Sequence, residues 1–448
     1  MPRRLFSRLI IPLITTLGLL VTLGCRSELN QLLSTPEAEL SQPDTPTPTA
    51  PPARTPNTAA DTIADIPEPA IVTLTLWLPE QFSGQEQDQT FLSPLSRFET
   101  EYPDIKVETI FKRTSGQASA INFLRVAKPV APTVMPDVVV LNTDDLLPAW
   151  RGQLIQPLDG LLDRTVVQDL LPAAKTLGTV DNNLIGIPFE LTVEHLVFNT
   201  SKVLTTPITW SNVISYVPSY QFAADGQKGL LNDSLLIQYL STEARLTNDQ
   251  GEPIIDETAL RALLNYYQTL RDDEIIQPSI IDPNHTRGIW DNYLAGLIGM
   301  THVSSRQYLS NRRLLVNTQA APIPSLNGSV VTVGHGWAFV LVTNDPIRQN
   351  AALKLIEHYL HPDINAAWAT HSMTIPTRQT AFDQLAGEDT YWTFLRGYLD
   401  ATQPPPSFTG YDQLSRILLV AIQQIIQNAA TPDEAIDNAI QDLAQSTS

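Results

Sequence analysis

The side chains able to do chemistry in this 448-residue chain do not assemble into a catalytic pattern. There is no G-x-S-x-G elbow, no phosphate-cradling G-x-x-x-x-G-K and no H-E-x-x-H helix. Cys25 is the only cysteine, which excludes an internal disulfide. His358 and His361 have the spacing of a metal-binding pair on one helix face. Both sit in the last turn of the helix expected there, where imidazole also suits the helix dipole, and no cysteine or paired carboxylate completes a site. No enzyme activity, metal or cofactor is therefore expected.

Binding asks for other residue types: flat aromatic faces and hydrogen-bonding groups gathered where water can be excluded. Trp337 follows Gly334-His335-Gly336, a glycine-flanked stretch suited to crossing a cleft. Trp77 ends an apolar run, and Trp290 and Tyr293 share a helix-like stretch. For Trp77 and Trp290 core packing is the simpler role, whereas the glycines beside Trp337 favour a cleft. Among polar residues, Glu190 and Thr192 follow Pro188, and Glu194 is a weaker candidate. Glu190 is equally compatible with a solvated loop charge. Ser304 and Arg306, with His302 and Ser305, follow a buried run, and Arg306 could clamp a ligand or pair with acidic surface groups.

The elements that must position these residues alternate between strand and helix. Ile71–Trp77, Ile105–Phe111 and Pro136–Leu141 are apolar or β-branched runs, the last continuous enough to be buried on both faces of a parallel sheet. Phe91–Glu101 lies between the first two and predicts a helix after a polar loop at Glu80–Gln89. The class is α/β with a mostly parallel sheet. Ligands in such sheets bind beyond the carboxyl ends of strands, which places Glu80 and Gln81 after the first strand and Asn142, Thr143, Asp144 and Asp145 after the third. Further on, helices are expected at Leu260–Arg271, Asn350–Leu360, Tyr391–Asp400, Leu414–Gln427 and Thr431–Gln445, and a strand at Leu297–Thr301. Residues 330–342 predict a strand, a Gly-His-Gly break and a second apolar run.

The amino terminus is of another kind. Arg3, Arg4 and Arg8 precede an apolar run from Leu9 to Leu23, the charged-then-hydrophobic order of an export signal. Gly24-Cys25 then resembles the lipobox of bacterial lipoproteins, in which Cys25 is lipidated; Thr22 and Leu23 depart from the usual residues of that motif. A soluble export signal and an uncleaved anchor are the alternatives. Residues 26–69 are rich in Pro, Thr and Ser and nearly free of aromatics, a composition expected of a disordered tether. As a flexible coil its ~44 residues span about 40 Å. The net charge of −19 argues against nucleic acid, which needs a basic face.

Three stretches in order, FETEYPDIKV at 98–107, MPDVVV at 135–140 and GQLIQPLD at 152–159, resemble the family 1 extracellular solute-binding proteins of ABC importers, the maltose-binding-protein-like group. Gly186-Ile187-Pro188 through Phe198-Asn199 resembles that family's first hinge strand, and Pro207-Ile208-Thr209-Trp210 its helix-opening motif. The resemblance implies a two-lobe, periplasmic-binding-protein-like (type II) fold with a central cleft and three crossings, near Gly186–Leu191, Val331–Gly334 and Met373–Arg378. Before these lobes come the signal segment over 1–25 and the tether over 26–69 read from the amino-terminal pattern and composition. The first lobe would comprise 70–187 with 335–376, and the second 188–334 with 377–448. The ligand residues expected are Trp77, Glu80, Gln81, Asn142, Thr143, Asp144, Glu190, Thr192, Ser304, Arg306, Gly336 and Trp337. Thr192 stands where the family often has an acid, so the family's sugar specificity does not carry over directly. The expected function is a monomeric, lipid-anchored, extracytoplasmic protein that delivers a small ligand, a carbohydrate above all, to an ABC permease. A sensor or surface-binding lipoprotein on the same fold is the alternative, and a secreted hydrolase lacks paired catalytic groups.

Overall fold

The computed structural model describes residues 71–446 apart from residue 84. Cys25, the export-signal pattern and the tether at 26–69 lie outside the described residues. No described helix is long and apolar enough to cross a membrane.

Eleven described strands follow in chain order: β1 Val72–Pro79, β2 Ile105–Lys112, β3 Val138–Asn142, β4 Thr179–Val180, β5 Asn183–Leu184, β6 Ile187–Asn199, β7 Tyr220–Gln221, β8 Met300–Ser304, β9 Thr318–Ala321, β10 Thr332–Leu341 and β11 Thr402–Gln403. β4 and β5 form a small hairpin. The others make one sheet in the order β2-β1-β3-β10-β6-β8-β7, with β11 on β10 and β9 on β6. β1 pairs in parallel with β2 and β3, whereas β10 runs antiparallel to both β3 and β6. β3 is buried from Val138 through Leu141, as its unbroken apolar run requires when helices cover both faces.

The long strands β6 and β10 belong to both halves of this sheet. Residues 187–191 of β6 pair with residues 336–339 of β10, and residues 194–199 of β6 pair with β8 and β9. A third segment joins them, because Leu191 and Ile375 exchange backbone hydrogen bonds at 2.8 and 2.9 Å. One apolar core gathers Leu74, Phe98, Val140, Phe339 and Leu355 on the β1–β3 side. A separate core gathers Phe198, Tyr220, Leu263, Leu418 and Ile422 on the far side. The result is a two-lobed α/β molecule whose lobes share strands.

Several elements differ from expectation for identifiable reasons. Gly334-His335-Gly336 does not break the strand: β10 is continuous from Thr332 to Leu341, and the irregularity is a register shift between Trp337 and Ala338. The glycines are there for close approach instead. A Cβ on Gly336 would lie 2.2 Å from the carbonyl oxygen of Glu190, and one on Gly334 would lie 2.4 Å from Thr402 Cγ2. The polar stretch at Glu80–Gln89 is already a 3-10 turn over Glu80–Phe82 and then the start of a helix, Gln85–Glu101. His361-Pro362 does end one helix, Pro346–Tyr359, but Pro362 also opens the next, Pro362–Ser372, at the position where its missing N–H costs nothing.

Gly336→Ala should lower unfolding stability by about 2–3 kcal/mol in urea melts, since a backbone oxygen cannot yield as a side chain can. Gly397→Ala, on an exposed helical site with nothing within 4 Å of the added Cβ, should stay within about 1 kcal/mol of the parent or exceed it.

Candidate functional site

The turn after β3 is built by Asn142, whose side chain accepts from the Asp144 backbone N–H at 3.0 Å and holds residues 143–145 in a 3-10 turn. Thr143 is buried there, and its hydroxyl accepts from the Gly336 N–H at 3.1 Å, pinning the turn to β10. Asp144 is left facing outward. Asp145, beside it, has its carboxyl pushed up to about 6 by burial and by the neighbouring Asp144 charge.

From the other lobe comes Asp233, the first residue of the helix Asp233–Leu240 that Asn232 caps. Between the two stands His335 on β10, opposite Thr192 on β6. Its Nδ1 lies 3.0 Å from Asp144 Oδ1 and its Nε2 lies 2.9 Å from Asp233 Oδ2. Burial alone would lower the imidazole pKa, but the two carboxylates outweigh it and hold the group up to about 10, so it is a cation at neutral pH. Glu194, half-buried on β6, has its carboxyl raised to about 8 by burial and by Asp233, against the pull of His335.

A second cluster lies along the same strands. Glu190 is buried, accepting from Trp368 Nε1 at 2.6 Å and from Arg306 Nη2 at 2.8 Å. Burial pushes its carboxyl pKa up, against the Arg306 charge and the Trp368 bond. Phe82 packs edge-on to both Trp337 and Trp368, with ring centroids 5.8 and 5.1 Å away. This is an aromatic cluster against the crossing strands, half-buried at Trp337.

Of the residues expected to meet a ligand, the structure brings Asn142, Thr143, Asp144, Thr192 and Gly336 together around His335. Glu190, Arg306 and Trp337 belong to the adjoining cluster. Glu80 and Gln81 are exposed, with Glu80 4.0 Å from Arg113. Ser304 pairs with Glu194 across β6 and β8 and caps the helix Ser305–Asn311. Trp77 is only 3% exposed and lies in the first-lobe core, edge-on to Phe123 and under the Lys112 ammonium. Trp290 stacks on Tyr293 and packs against the separate core that holds Leu74, Phe98 and Phe339. His358 is bound to the Pro94 carbonyl at 2.9 Å, and no group able to hold a metal ion occurs among the described residues.

His335, Asp233 and Trp368 were not among the residues expected to meet a ligand. His335 had a signal, since it lies two positions before Trp337 and alternation along a strand puts both on one face. Asp233 had none beyond its capping motif, because nothing local shows which lobe wall a helix start will face.

A cavity of about 460 Å³ opens beside Asp144, with one wall from Thr143, Asp144 and Arg151 and the other from Leu240, Thr247 and Phe408. Its walls therefore come from both lobes. Two other spaces, of about 470 and 720 Å³, are lined by other residues, the first including Asp137 and Arg348 and the second Glu257 and Ile440. The space next to Trp337, Asn142 and Asp145 is about 10 Å³.

The bacterial extracellular solute-binding protein family matches residues 95–393. The chain belongs to that family. Its members bind solutes outside the cytoplasm and are not enzymes. No curated protein matches the chain. Among solved structures, the sugar-binding protein MalE from Xanthomonas citri is similar with a TM-score of 0.70 at 16% identity, over 84% of this chain and 98% of that one. The cyclic alpha-maltosyl-1,6-maltose binding protein from Arthrobacter globiformis gives 0.67 at 16% identity, over 84% and 98%. A solute-binding protein from Thermotoga lettingae bound with alpha-D-tagatose gives 0.61 at 18% identity, over 84% and 99%. These likenesses are ones of fold, two lobes with a cleft.

Glu194 supplies a test of the site's electrostatics. A carboxyl whose folded pKa rises from 4.5 to about 8 keeps its proton while the unfolded chain loses one, so it costs stability progressively as pH rises from about 4.5 to 8. Glu194→Gln should therefore be more stable than the parent by about 1–3 kcal/mol at pH 8.5, with the gap narrowing toward pH 5. Thermal melts at the two pH values measure it, and a gap that does not change with pH would contradict the placement.

Proposed function

We propose that the chain captures a carbohydrate by closing its two lobes and delivers it to an ABC permease. The observation that carries this reading is the cavity of about 460 Å³ walled by both lobes beside Asp144, within the size range of small-molecule sites. Its lining joins carboxylate and hydroxyl acceptors to the apolar faces of Leu240 and Phe408, a mixture suited to a hydroxylated ring with polar edges and an apolar face. A ligand touching both walls stabilises the closed form only, and so shifts the lobes toward closure. The sugar ligands of the maltose-binding and tagatose-bound structural relatives support the same class.

The ligand residues in this reading are Thr143 and Asp144 from the first lobe and Thr247 and Phe408 from the second, with Asn142, Thr192 and Gly336 shaping the floor. Glu190, Arg306 and Trp337 continue the same face further along the crossing strands, while Trp77, Glu80, Gln81 and Ser304 are left to secondary roles. The lobes divide near 70–187 with 335–376, and 188–334 with 377–448. The protein acts as a monomer, held outside the cytoplasm by a lipidated Cys25 and a tether over 26–69.

Calorimetry against maltose, maltotriose and tagatose should show saturable binding of at least one, weakened tenfold or more by Phe408→Ala. Silence across a broad sugar panel would overturn the carbohydrate assignment. Separately, radiolabelled fatty acid should enter the parent in bacterial cells and not Cys25→Ala; equal labelling of both would remove the anchor.

A further inference from the structure

We propose that His335 is a positioning residue of the closed form, a cationic clasp that joins Asp144 of one lobe to Asp233 of the other and favours closure through the chain's own groups. The inference rests on the two-lobe solute-binding reading and adds to it a closing contact that belongs to the protein.

The geometry gives the clasp its two ends. Asp144 stands on the turn after β3, fixed by the Asn142 side chain and by the Thr143 contact to Gly336. Asp233 stands at the start of a helix packed in the other lobe's core, whose residues Leu235, Leu236 and Ile237 are buried there. Imidazole carries two ring nitrogens that point in divergent directions, and when both are protonated both donate. Here they donate to one carboxylate of each lobe, at 3.0 and 2.9 Å. The strand that carries His335 is shared by both lobes, so the ring stays central while the walls move. Opening the lobes must part the imidazolium from at least one of the two carboxylates. Without the ring, Asp144 and Asp233 would face each other as like charges.

The surroundings set the pH response. Asp145 flanks Asp144 on the same turn, Glu194 on β6 faces both Asp233 and His335, and Tyr411, opening the helix Tyr411–Ile426, faces Asp233. Thr192, directly across β6, does not titrate. Glu194 gains its charge near pH 8, which deepens the negative field around the imidazolium. The imidazole itself is held up to about 10. Because its folded pKa lies above the ordinary value of 6.5, the clasp is complete at neutral pH and is lost as pH rises through about 10.

The test is a distance measurement between spin labels on the full chain carrying Cys25→Ser, with labels at Glu108→Cys in the first lobe and Asp437→Cys in the second, both exposed sites. With no sugar added, the parent should show a larger share of the short distance at pH 7.5 than at pH 10.5. His335→Ala should show the long distance at both pH values, with no pH response. Asp233→Asn keeps the side-chain shape while removing one end's charge, and should fall between, which covers the case in which His335→Ala fails to fold. Distributions that superimpose for parent and variants, or a parent whose share of the short distance does not fall between pH 7.5 and pH 10.5, would overturn the clasp. Neither result depends on whether any sugar binds, so failure here is distinct from failure of the carbohydrate reading.

Discussion

The structure depends on how closely β6 and β10 run past each other. Gly336 brings its backbone so near the Glu190 carbonyl that a Cβ would fall 2.2 Å away, and this approach makes one sheet of what are otherwise two lobes. A conventional pair of side chains at that point would push the strands apart and separate the turn after β3 from β10. The Thr143 hydroxyl, which accepts from the Gly336 N–H, would then lose its donor, and Asp144 would lose its fixed position. The glycines thus act on the cleft through backbone spacing.

Charge is handled in two ways along these strands. At one end of the crossing, Glu190 is desolvated and answered by Trp368 and Arg306, an arrangement that costs much if one partner is removed and adds little net stability when complete. Facing the cleft, Asp144, Asp233 and Glu194 surround a single imidazolium, so the wall retains unsatisfied acceptor capacity. A ligand rich in hydroxyl donors can use that capacity without carrying charge. The overall charge of −19 bears on solubility and partners; the site depends on this local balance.

Much of the framework was legible from residue pattern because each element depends on local chemistry. The parallel strands at Val72–Pro79, Ile105–Lys112 and Val138–Asn142 follow their apolar runs, and the helix Trp210–Tyr216 begins where the resemblance places a helix-opening motif, at a capping box of Thr209 and Asn212. The two-lobed class followed from family signatures at 98–107, 135–140 and 152–159. Where proline served two elements at once, as at Pro362, pattern showed the end of one helix and hid the start of the next. The strand at Met300–Ser304 began three residues later than its apolar run, because Gly296 takes a left-handed turn and Leu297 is exposed. Site assembly was less legible. Asp144 was visible as a residue beyond a strand end, but Asp233 faces it only through the packing of a distant helix. His335 was visible as the centre of a glycine pair, and its role depends on two carboxylates that lie 191 and 102 residues away in sequence.

The most direct test of the account is a crystal structure grown with whichever sugar calorimetry finds to bind most tightly. The ligand should lie between the lobes, within hydrogen-bond distance of Asp144 on one side and in contact with Thr247 or Phe408 on the other. A ligand that touches one lobe alone, or that occupies the space near Arg348 or Ile440, would contradict the claim that capture works by closing two walls about the β6–β10 crossing.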